Sequence, residues 1–547
     1  MLSLKYVSDV FLSVCFDNSI ISDERAAKRV KLDTTALGDQ AALDTEGAFV
    51  NVGQKKLAGF FAEESLLYVR DETVKLWSAL NDDSGTNLSV DGPPGTGKST
   101  EAWAWALWKA NRDKVAVTWY HLSKNGLVKV VIDGSTGQIT TGYHAEITDI
   151  KQSEGSILIV DGVIASKSYE VRAACCNWRR GEQGRRFVLV SSATVVIAAE
   201  QDDEAKIVNF TVGSWTFEQY QAACRNEQFV KLVKINLECP GLEDVDDKDQ
   251  LLLAKYHFAG GCARWMFEFP YKLWLQDFNA HFRKVSNYAI LFGGGGGEQN
   301  PDAVNHLRGV TVLAPEDKQY FFISQYAVGE LAKRCDDKRK FLIDSYEKAK
   351  DTKNPAFEGW IFEFDVDYQL GKAHRDKSKF CAEIRSPTAA GTPTTEQRSV
   401  DEYMMFDSVG FLSTAINSLG AEKVLWTKPK LWCQKAYDFL CFWKVSDAST
   451  GELKLNMMVV NATLAKTHSV RLDEVNKLAL ALGGKEGCAV SAIRFDFIVP
   501  KGAEFTIGDI TGRLCEWQNL QEVQWPNADN SESYTGFLAV AAVTRTS

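Results

Sequence analysis

The sequence predicts an α/β protein, in which a parallel sheet with helices on both faces is followed by a second α/β module. Three observations carry that expectation. Short apolar runs alternate with helical stretches between about residues 66 and 260. A glycine-rich octapeptide, GPPGTGKS, joins one of those strands to one of those helices. From about residue 341 the order changes to helix, hairpin-like strands, helix, strand, which is a separate core.

Taken in order, LSVD runs into the glycine loop and then into the helix STEAWAWALWKAN. AVTWYHL and VKVVID are the next strands, followed by ILIVDGV, a helix rich in Trp and Arg, and RRFVLVSSAT. Continuous apolar runs of this kind suit strands covered on both faces. A helical segment follows, and the glycines Gly293 to Gly297 mark an inserted loop. In the second module a helix at about 341–350 precedes the apolar segment FEGWIFEFDVDYQL. YDFLCFWKV and LNMMVVNATLAK are strands, LDEVNKLALAL a helix and AVSAIRFDFIVP a closing strand. The expected divisions are an N-terminal arm over 1–65, a sheet domain with a helical subdomain over 66–270, a linking helical region over 271–340, and the second module over 341–547.

The 547 residues exceed what one ordinary core organises, and 45% hydrophobic with 24% charged residues excludes wholesale disorder. A net charge of −10 excludes a protein coated in Lys and Arg, but leaves room for a local basic groove. The twelve cysteines include no CxxC pair, which favours buried thiols in a reducing compartment over zinc sites or a disulfide framework. No run of about 18 apolar residues is present, so no membrane partner is expected. Asp9 interrupts the apolar bias of the first twenty residues and no small-residue cleavage site follows, so no cleaved signal peptide is expected. RAAKRVKLD, with Lys28, Arg29 and Lys31, matches a short basic nuclear-import signal, and a solvated charged patch is the alternative.

Gly92, Pro93, Pro94, Gly95, Thr96, Gly97, Lys98 and Ser99 fit GxxxxGK[ST] at every fixed position, with Thr100 next in the helix. Glycines let backbone N–H groups converge on phosphates, and the helix N-terminus favours the same negative charge. Lys98 is expected to reach the β and γ phosphates of ATP, and Ser99 to ligate Mg²⁺. Asp161, at the end of SILIVDG, is the acid expected to hold the metal's water shell. Gly162 stands next, where many P-loop ATPases carry a catalytic Glu, which implies slow hydrolysis or a different water-activating group. Ser191 and Ser192 end the next strand, as γ-phosphate sensors or as ordinary strand-end polarity. Arg264, in GGCARWMF, is either a nucleotide-state sensor or a salt-bridged surface residue.

The runs VDGPPGTGKSTEAWAWALW, ILIVDGV, VLVSSAT, GSWTFEQY and AGGCARWMF resemble the Crinkler effectors of oomycetes and fungi, and the related retrotransposon-hot-spot proteins of trypanosomes. The resemblance covers about residues 66–280 and continues more faintly beyond. It implies a P-loop ATPase followed by a nuclease-like domain of the restriction-endonuclease fold, in a secreted protein acting in the nucleus of a host cell. It also implies DNA, import receptors and host nuclear proteins as partners. The family's LxLFLAK translocation motif does not occur in the sequence.

A restriction-endonuclease pattern needs a helix Glu, a strand Asp, and a further metal-binding residue near a Lys on the next strand. Matched to it, Glu358 is the helix carboxylate and Asp438 the strand acid, both expected to bind Mg²⁺. Asn461 and Thr463 follow on the next strand, with Lys466 and His468 beyond. Asn461 stands where the family pattern has Gln, and Thr463 replaces the usual Lys, leaving Lys466 or His468 to orient water. Lys428, Lys430, Lys435 and Lys444 alternate with Trp426, Trp432 and Trp443, either to meet phosphates and stack on bases or, for the tryptophans, to fill the core. The expectation is an ATP-switched effector with a Mg²⁺-dependent DNA nuclease module. The alternatives are a switch whose second module binds DNA or protein without cleavage, and an ATP-dependent chaperone-like factor.

Overall fold

The computed structural model describes residues 28–31, 45–60, 65–82, 85–123, 126–192, 206–240, 242, 245–285, 291, 301–314, 317–334, 338–352, 354–385, 394–430, 436–446, 450–464, 467–500, 506–511 and 537–543. The chain forms two compact units. One comprises residues 1–233, 262–264 and 278–318, the other 234–261, 265–277 and 319–547. These differ from the divisions expected at 65, 270 and 340. The segment expected as a separate arm supplies Val50, Val52, Leu57 and Ala58 to the first unit's core, beside Trp103 and Trp119.

The first unit contains β1 (Lys28–Lys31), β2 (Phe49–Val52), β3 (Ser65–Tyr68), β4 (Asn87–Asp91), β5 (Ala116–Ser123), β6 (Gly126–Asp133), β7 (Gln138–Ala145), β8 (Ile157–Val163), β9 (Arg186–Ser191) and β10 (Ile207–Thr211). Its principal helices are α1 (Asp71–Asn81), α2 (Lys98–Asp113) and α3 (Ser168–Arg180). The main sheet has the order β1-β7-β6-β5-β8-β9-β4-β10. Strands β5, β8, β9, β4 and β10 are parallel. The expected parallel series fails at VKVVID, because β6 pairs antiparallel with β5. Only residues 124 and 125 separate them, enough for a hairpin but not for the crossover of about a dozen residues that parallel pairing requires. β7 and β1 extend this antiparallel edge, so KRVK is the outermost strand of the sheet.

Alternation along the parallel strands shows why both faces are covered. Val117, Trp119, Ile157, Ile159, Val188 and Val190 pack with α1 and α2 on one face. Tyr120, Leu158, Val160, Phe187 and Leu189 pack with α3 on the other. Helix α2 is buried nearly all round and places Trp103, Trp105 and Trp108 in the core. The indoles also tie elements together: Trp103 donates to the Gly53 carbonyl at 3.2 Å, and Trp105 to Asn81 at 3.0 Å.

Strands β11 (Arg308–Ala314) and β12 (Asp317–Phe322) follow along the chain. The second unit contains α4 (Lys248–Ala259), α5 (Gln325–Arg334), α6 (Pro355–Arg375), α7 (Val409–Ser418) and α8 (Leu472–Gly483). Its strands are β13 (Lys379–Arg385), β14 (Thr394–Ser399), β15 (Glu402–Phe406), β16 (Val424–Pro429), β17 (Phe439–Ser446), β18 (Leu453–Ala462), β19 (Thr467–Arg471), β20 (Val490–Pro500), β21 (Thr506–Thr511) and β22 (Phe537–Val543). The sheet order is β14-β13-β22-β20-β18-β17-β16-β15. Strands β16, β17 and β18 form an antiparallel meander, and β20 returns parallel to β18 after α8.

Leu425, Leu440, Phe442 and Val459 face α7 and α8, whereas Trp426, Phe439, Cys441 and Val460 face α6. Trp426 is therefore core rather than a base-stacking platform, and its indole donates to the Ser399 carbonyl at 3.1 Å. Lys435, Trp432 and Gly293 to Gly297 lie outside the described residues. The cysteines whose side chains are described are all free. No helix among the described residues is long and apolar enough to cross a membrane.

Candidate functional site

The glycine loop leaves β4 at Asp91 and enters α2 at Lys98. Two of its glycines are required by space as well as by backbone. Gly92 has φ +143°, and a Cβ there would collide with the Val212 carbonyl oxygen. Gly95 has φ +75°, and a Cβ would strike Cys262 Sγ and Arg264 Cβ. The loop is thus a backbone cradle closed against its neighbours. The Arg264 backbone N–H donates to the Gly95 carbonyl at 3.2 Å, which places this residue beside the loop.

Lys98 is buried, and its Nζ donates to the carbonyls of Gly92 at 2.8 Å and Pro93 at 2.7 Å. Burial pulls the ammonium down to about 8, with the Arg264 charge adding to the shift and Asp91, Asp161 and Glu101 opposing it. A desolvated cation held by neutral oxygens is a ready receptor for an anionic phosphate. The carbonyl of Thr96 accepts from Arg70 Nη2 at 3.0 Å and from Trp215 Nε1 at 3.1 Å. The Arg70 guanidinium lies 4.7 Å from the Trp215 ring and 3.5 Å from Glu101 Oε1, which also accepts from the Thr73 hydroxyl at 3.0 Å. Thr100 is half-buried in the first turn of α2.

Ser99 Oγ donates to Asp161 Oδ1 at 2.7 Å, and His121 Nδ1 meets Asp161 Oδ2 at 2.8 Å. A hydroxyl and a buried carboxylate at one point suit a hydrated Mg²⁺, which takes oxygen ligands and keeps several waters. Strand β9 lies between β4 and β8, so Ser191 ends between the loop strand and the acid strand. Its Oγ is buried without a hydrogen-bond partner among the described residues, the polar orphan a γ-phosphate contact would satisfy. Gly162 presents no carboxylate after Asp161. Arg70, Thr73, Glu101, Trp215 and His121 are additions that motif matching misses. Glu101, His121 and Trp215 stand within the runs STEAWAWALWKAN, AVTWYHL and GSWTFEQY, but nothing in those runs marks them as partners of the loop.

The second unit has a half-open cavity of about 930 Å³, lined by α4, α5, α6, β15 and β16. Lys428 from β16 pairs there with Glu363 at 3.0 Å and Asp367 at 3.8 Å. The Lys428 and Glu363 side chains are 11% and 21% exposed. Helix α6 is set by the Asn354 side chain capping the Phe357 N–H, with Pro355 in its first turn. This phase places Glu363 and Asp367, four apart, on one face. Gln325 Nε2 donates to Glu363 Oε2 at 2.8 Å, so its Oε1 accepts from His257 Nδ1 at 2.9 Å. Burial lowers His257 to about 3 and so keeps the ring neutral, and the Gln325 Oε1 acceptor places its proton on Nδ1. Tyr403 donates to Asp367.

Asp438 immediately precedes β17 and accepts from the Ala462 N–H at 2.7 Å. Burial, and then the Glu363 charge, raises its pKa, while that N–H and Lys428 pull the other way. For Lys428, burial alone would lower the pKa, but Glu363 and Asp367 outweigh it and hold the ammonium above its usual range. Asn461 is buried, with Nδ2 donating to the Ala436 carbonyl at 3.2 Å, and Thr463 continues the strand by bonding to Ile498. His468 sits on β19, its ring 5.4 Å from that of Phe497. Lys466 lies outside the described residues.

Glu358 lies in the first turn of α6, as expected, but does not line the cavity. It is five residues from Glu363, about 140° around an α-helix, and its charged neighbour is Lys350. Lys428, one of the lysines read as a phosphate contact, is engaged by the Glu363 and Asp367 carboxylates. Lys430 pairs with Asp407 at 3.0 Å, and Lys444 bonds the Leu419 carbonyl at 3.0 Å.

Neither a protein-family model nor a curated protein matches the sequence. Among solved structures, the chain is similar to a chain from a structure of two coordinating Pif1 helicases unwinding forked duplex DNA, at 10% identity and a TM-score of 0.18, covering 35% of this chain and 52% of that one. It is similar to a chain of Drosophila ORC bound to DNA, at 11% identity and TM-score 0.23, covering 72% and 97%. It is also similar to closed Hsp104 with ATPγS and casein, at 11% identity and TM-score 0.24, covering 78% and 63%. The matches thus span about half of the Pif1 chain and less than two thirds of the Hsp104 chain. The functional reading therefore rests on the geometry of the loop and of the cavity.

Proposed function

We propose that the chain is a nucleotide-operated switch, with a P-loop ATPase domain in the first unit and a metal-dependent nuclease module in the second. The observation that carries this reading is the meeting of Ser99 Oγ and Asp161 Oδ1 at 2.7 Å, at the mouth of a backbone cradle with Lys98 inside it. When bound, Mg²⁺ supplies charge neutralisation to the phosphates of ATP. The chain's own part is to hold and orient: loop N–H groups and Lys98 take the β and γ phosphates, and Ser99 and Asp161 take the metal. Without a carboxylate at Gly162, turnover is slow, which suits a switch.

The cavity of the second unit supports the nuclease reading. Metal-assisted phosphodiester cleavage needs clustered carboxylates and a nearby cation. Glu363, which lines the cavity, and Asp438, whose carboxyl feels the Glu363 and Lys428 charges, are the carboxylates, Lys428 is the cation, and Arg375 on the cavity lining suits a polyanionic substrate. Incubation of the protein with plasmid DNA, Mg²⁺ and ATP is expected to give cleavage that Glu363→Ala and Asp438→Ala each reduce by about 100-fold or more. Glu358→Ala is expected to stay within about threefold of the unsubstituted protein, since it lies off the cavity face. Cleavage surviving both the Glu363 and the Asp438 substitution contradicts the assignment, and no cleavage with any metal favours binding of DNA or protein without cleavage.

The resemblance to Crinkler effectors supports a secreted protein working in the nucleus of a host cell, and RAAKRVKLD supports nuclear entry. Neutralising Lys28, Arg29 and Lys31 is expected to leave a fluorescently tagged chain in the cytoplasm. A nuclear signal that persists excludes this segment as the import determinant.

A further inference from the structure

Strands β5 and β8 pair in parallel, with His121 directly opposite Asp161. Both oxygens of the Asp161 carboxylate are engaged, from different elements. Ser99 Oγ, on α2, donates to Oδ1, and His121, on β5, meets Oδ2. A carboxylate offers only acceptors, so the His121 Nδ1–H is the donor. The Asp161 side chain is 1% exposed and the His121 side chain 19%, so the imidazole is partly exposed while its partner is buried.

The imidazole is itself braced. Its Cδ2 edge lies where a Cβ on Gly59 would come within 2.6 Å, and the Phe60 ring stands 5.8 Å away. The segment carrying Gly59 is anchored by Trp119, whose indole donates to the Ala58 carbonyl at 3.3 Å. Gly59, the left-handed cap of the short helix Lys55–Ala58, thus also leaves the space that the imidazole edge occupies.

We propose that His121 is a positioning residue for the metal-binding pair. It fixes the Asp161 carboxylate so that Oδ1 faces Ser99, and thereby sets how strongly nucleotide binding depends on a divalent cation. This rests on the reading of the loop as a nucleotide site. Outer partners that orient a ligating carboxylate are worth about 10–100-fold in metal affinity. The phosphate cradle contains no atom of His121, so metal-free nucleotide affinity is independent of it.

The test is calorimetric titration of the full chain with ATP, once in EDTA and once in Mg²⁺, for the unsubstituted protein, His121→Ala and His121→Asn. Mn²⁺ binding in the presence of ATP, followed by electron paramagnetic resonance, reads the metal directly. Affinity in EDTA is expected to agree within about twofold for all three, while His121→Ala loses about 10–100-fold in Mn²⁺ affinity. His121→Asn, whose amide can occupy the Nδ1 position, is expected to recover most of that loss. Unchanged Mn²⁺ affinity in His121→Ala overturns the proposal, as does an equal loss of affinity in EDTA. An unsubstituted protein that binds no ATP in either buffer overturns the nucleotide-site reading itself, and this proposal with it.

Discussion

Replacing Lys98 by Ala is expected to weaken ATP binding by about 100-fold or more while leaving the fold intact. The ammonium is buried, donates to the Gly92 and Pro93 carbonyls, and is depressed to about 8 by that burial. Neutral carbonyls compensate its charge only in part, so a triphosphate is the stronger partner. Hydrogen bonds to charged groups contribute about 1.5–3 kcal/mol each, and two of them account for about two decades of affinity or more. Lys98→Arg is expected to fail as a rescue, because a planar fork cannot occupy a cradle shaped for a compact ammonium. Calorimetry gives the affinity and a circular-dichroism melt the fold. Unchanged affinity in Lys98→Ala would contradict the assignment of the loop.

Arg70→Ala is expected to destabilise the first unit by about 3–5 kcal/mol, the usual result of stripping one partner from a buried ion pair. The side chains of Arg70 and Glu101 are 0% and 1% exposed. Burial already raises the Glu101 pKa, with Arg70 and Thr73 opposing it. Without Arg70 the carboxylate keeps only the Thr73 hydroxyl, and the Thr96 carbonyl keeps only Trp215. At about 2–4 °C per kcal/mol for a unit of this size, the melting temperature is expected to fall by about 6–20 °C. The double variant Arg70→Met with Glu101→Leu is expected to recover most of the loss, because no charge is then left buried alone. A melting temperature unchanged in Arg70→Ala would show that the pair does not brace the loop.

The phosphate loop was legible in the sequence because its chemistry is local: glycines, Lys98 and Ser99 are consecutive, and each is fixed by the backbone of one turn. Asp161 was legible because an apolar strand ending in an acid is equally local. What supports them is not. Arg70 reaches Thr96 from 26 residues away and His121 reaches Asp161 from 40, through strand pairing that only the fold establishes. The hairpin of β5 and β6 shows the same limit, since alternation finds strands but not their direction. In the second unit β17, β18, α8 and β20 were legible, whereas β13 to β16, α7 and the phase of α6 were not. Matching a motif to FEGWIFEF selects Glu358, but the Asn354 cap and the apolar stripe through Phe362, Val366 and Leu370 turn Glu363 toward Lys428. Trp426 illustrates the converse, since an aromatic beside lysines reads as a stacking platform until its indole is found bonded to Ser399 in the core.

The central claim is that the loop recognises the outer phosphates of a nucleotide. Competition against a fluorescent ATP analogue in Mg²⁺ tests it most directly. The expected result is one site per chain, with ATP and ADP displacing the analogue and AMP doing so about 100-fold more weakly, since AMP lacks the phosphates that Lys98 reaches. AMP competing as well as ATP would contradict the account.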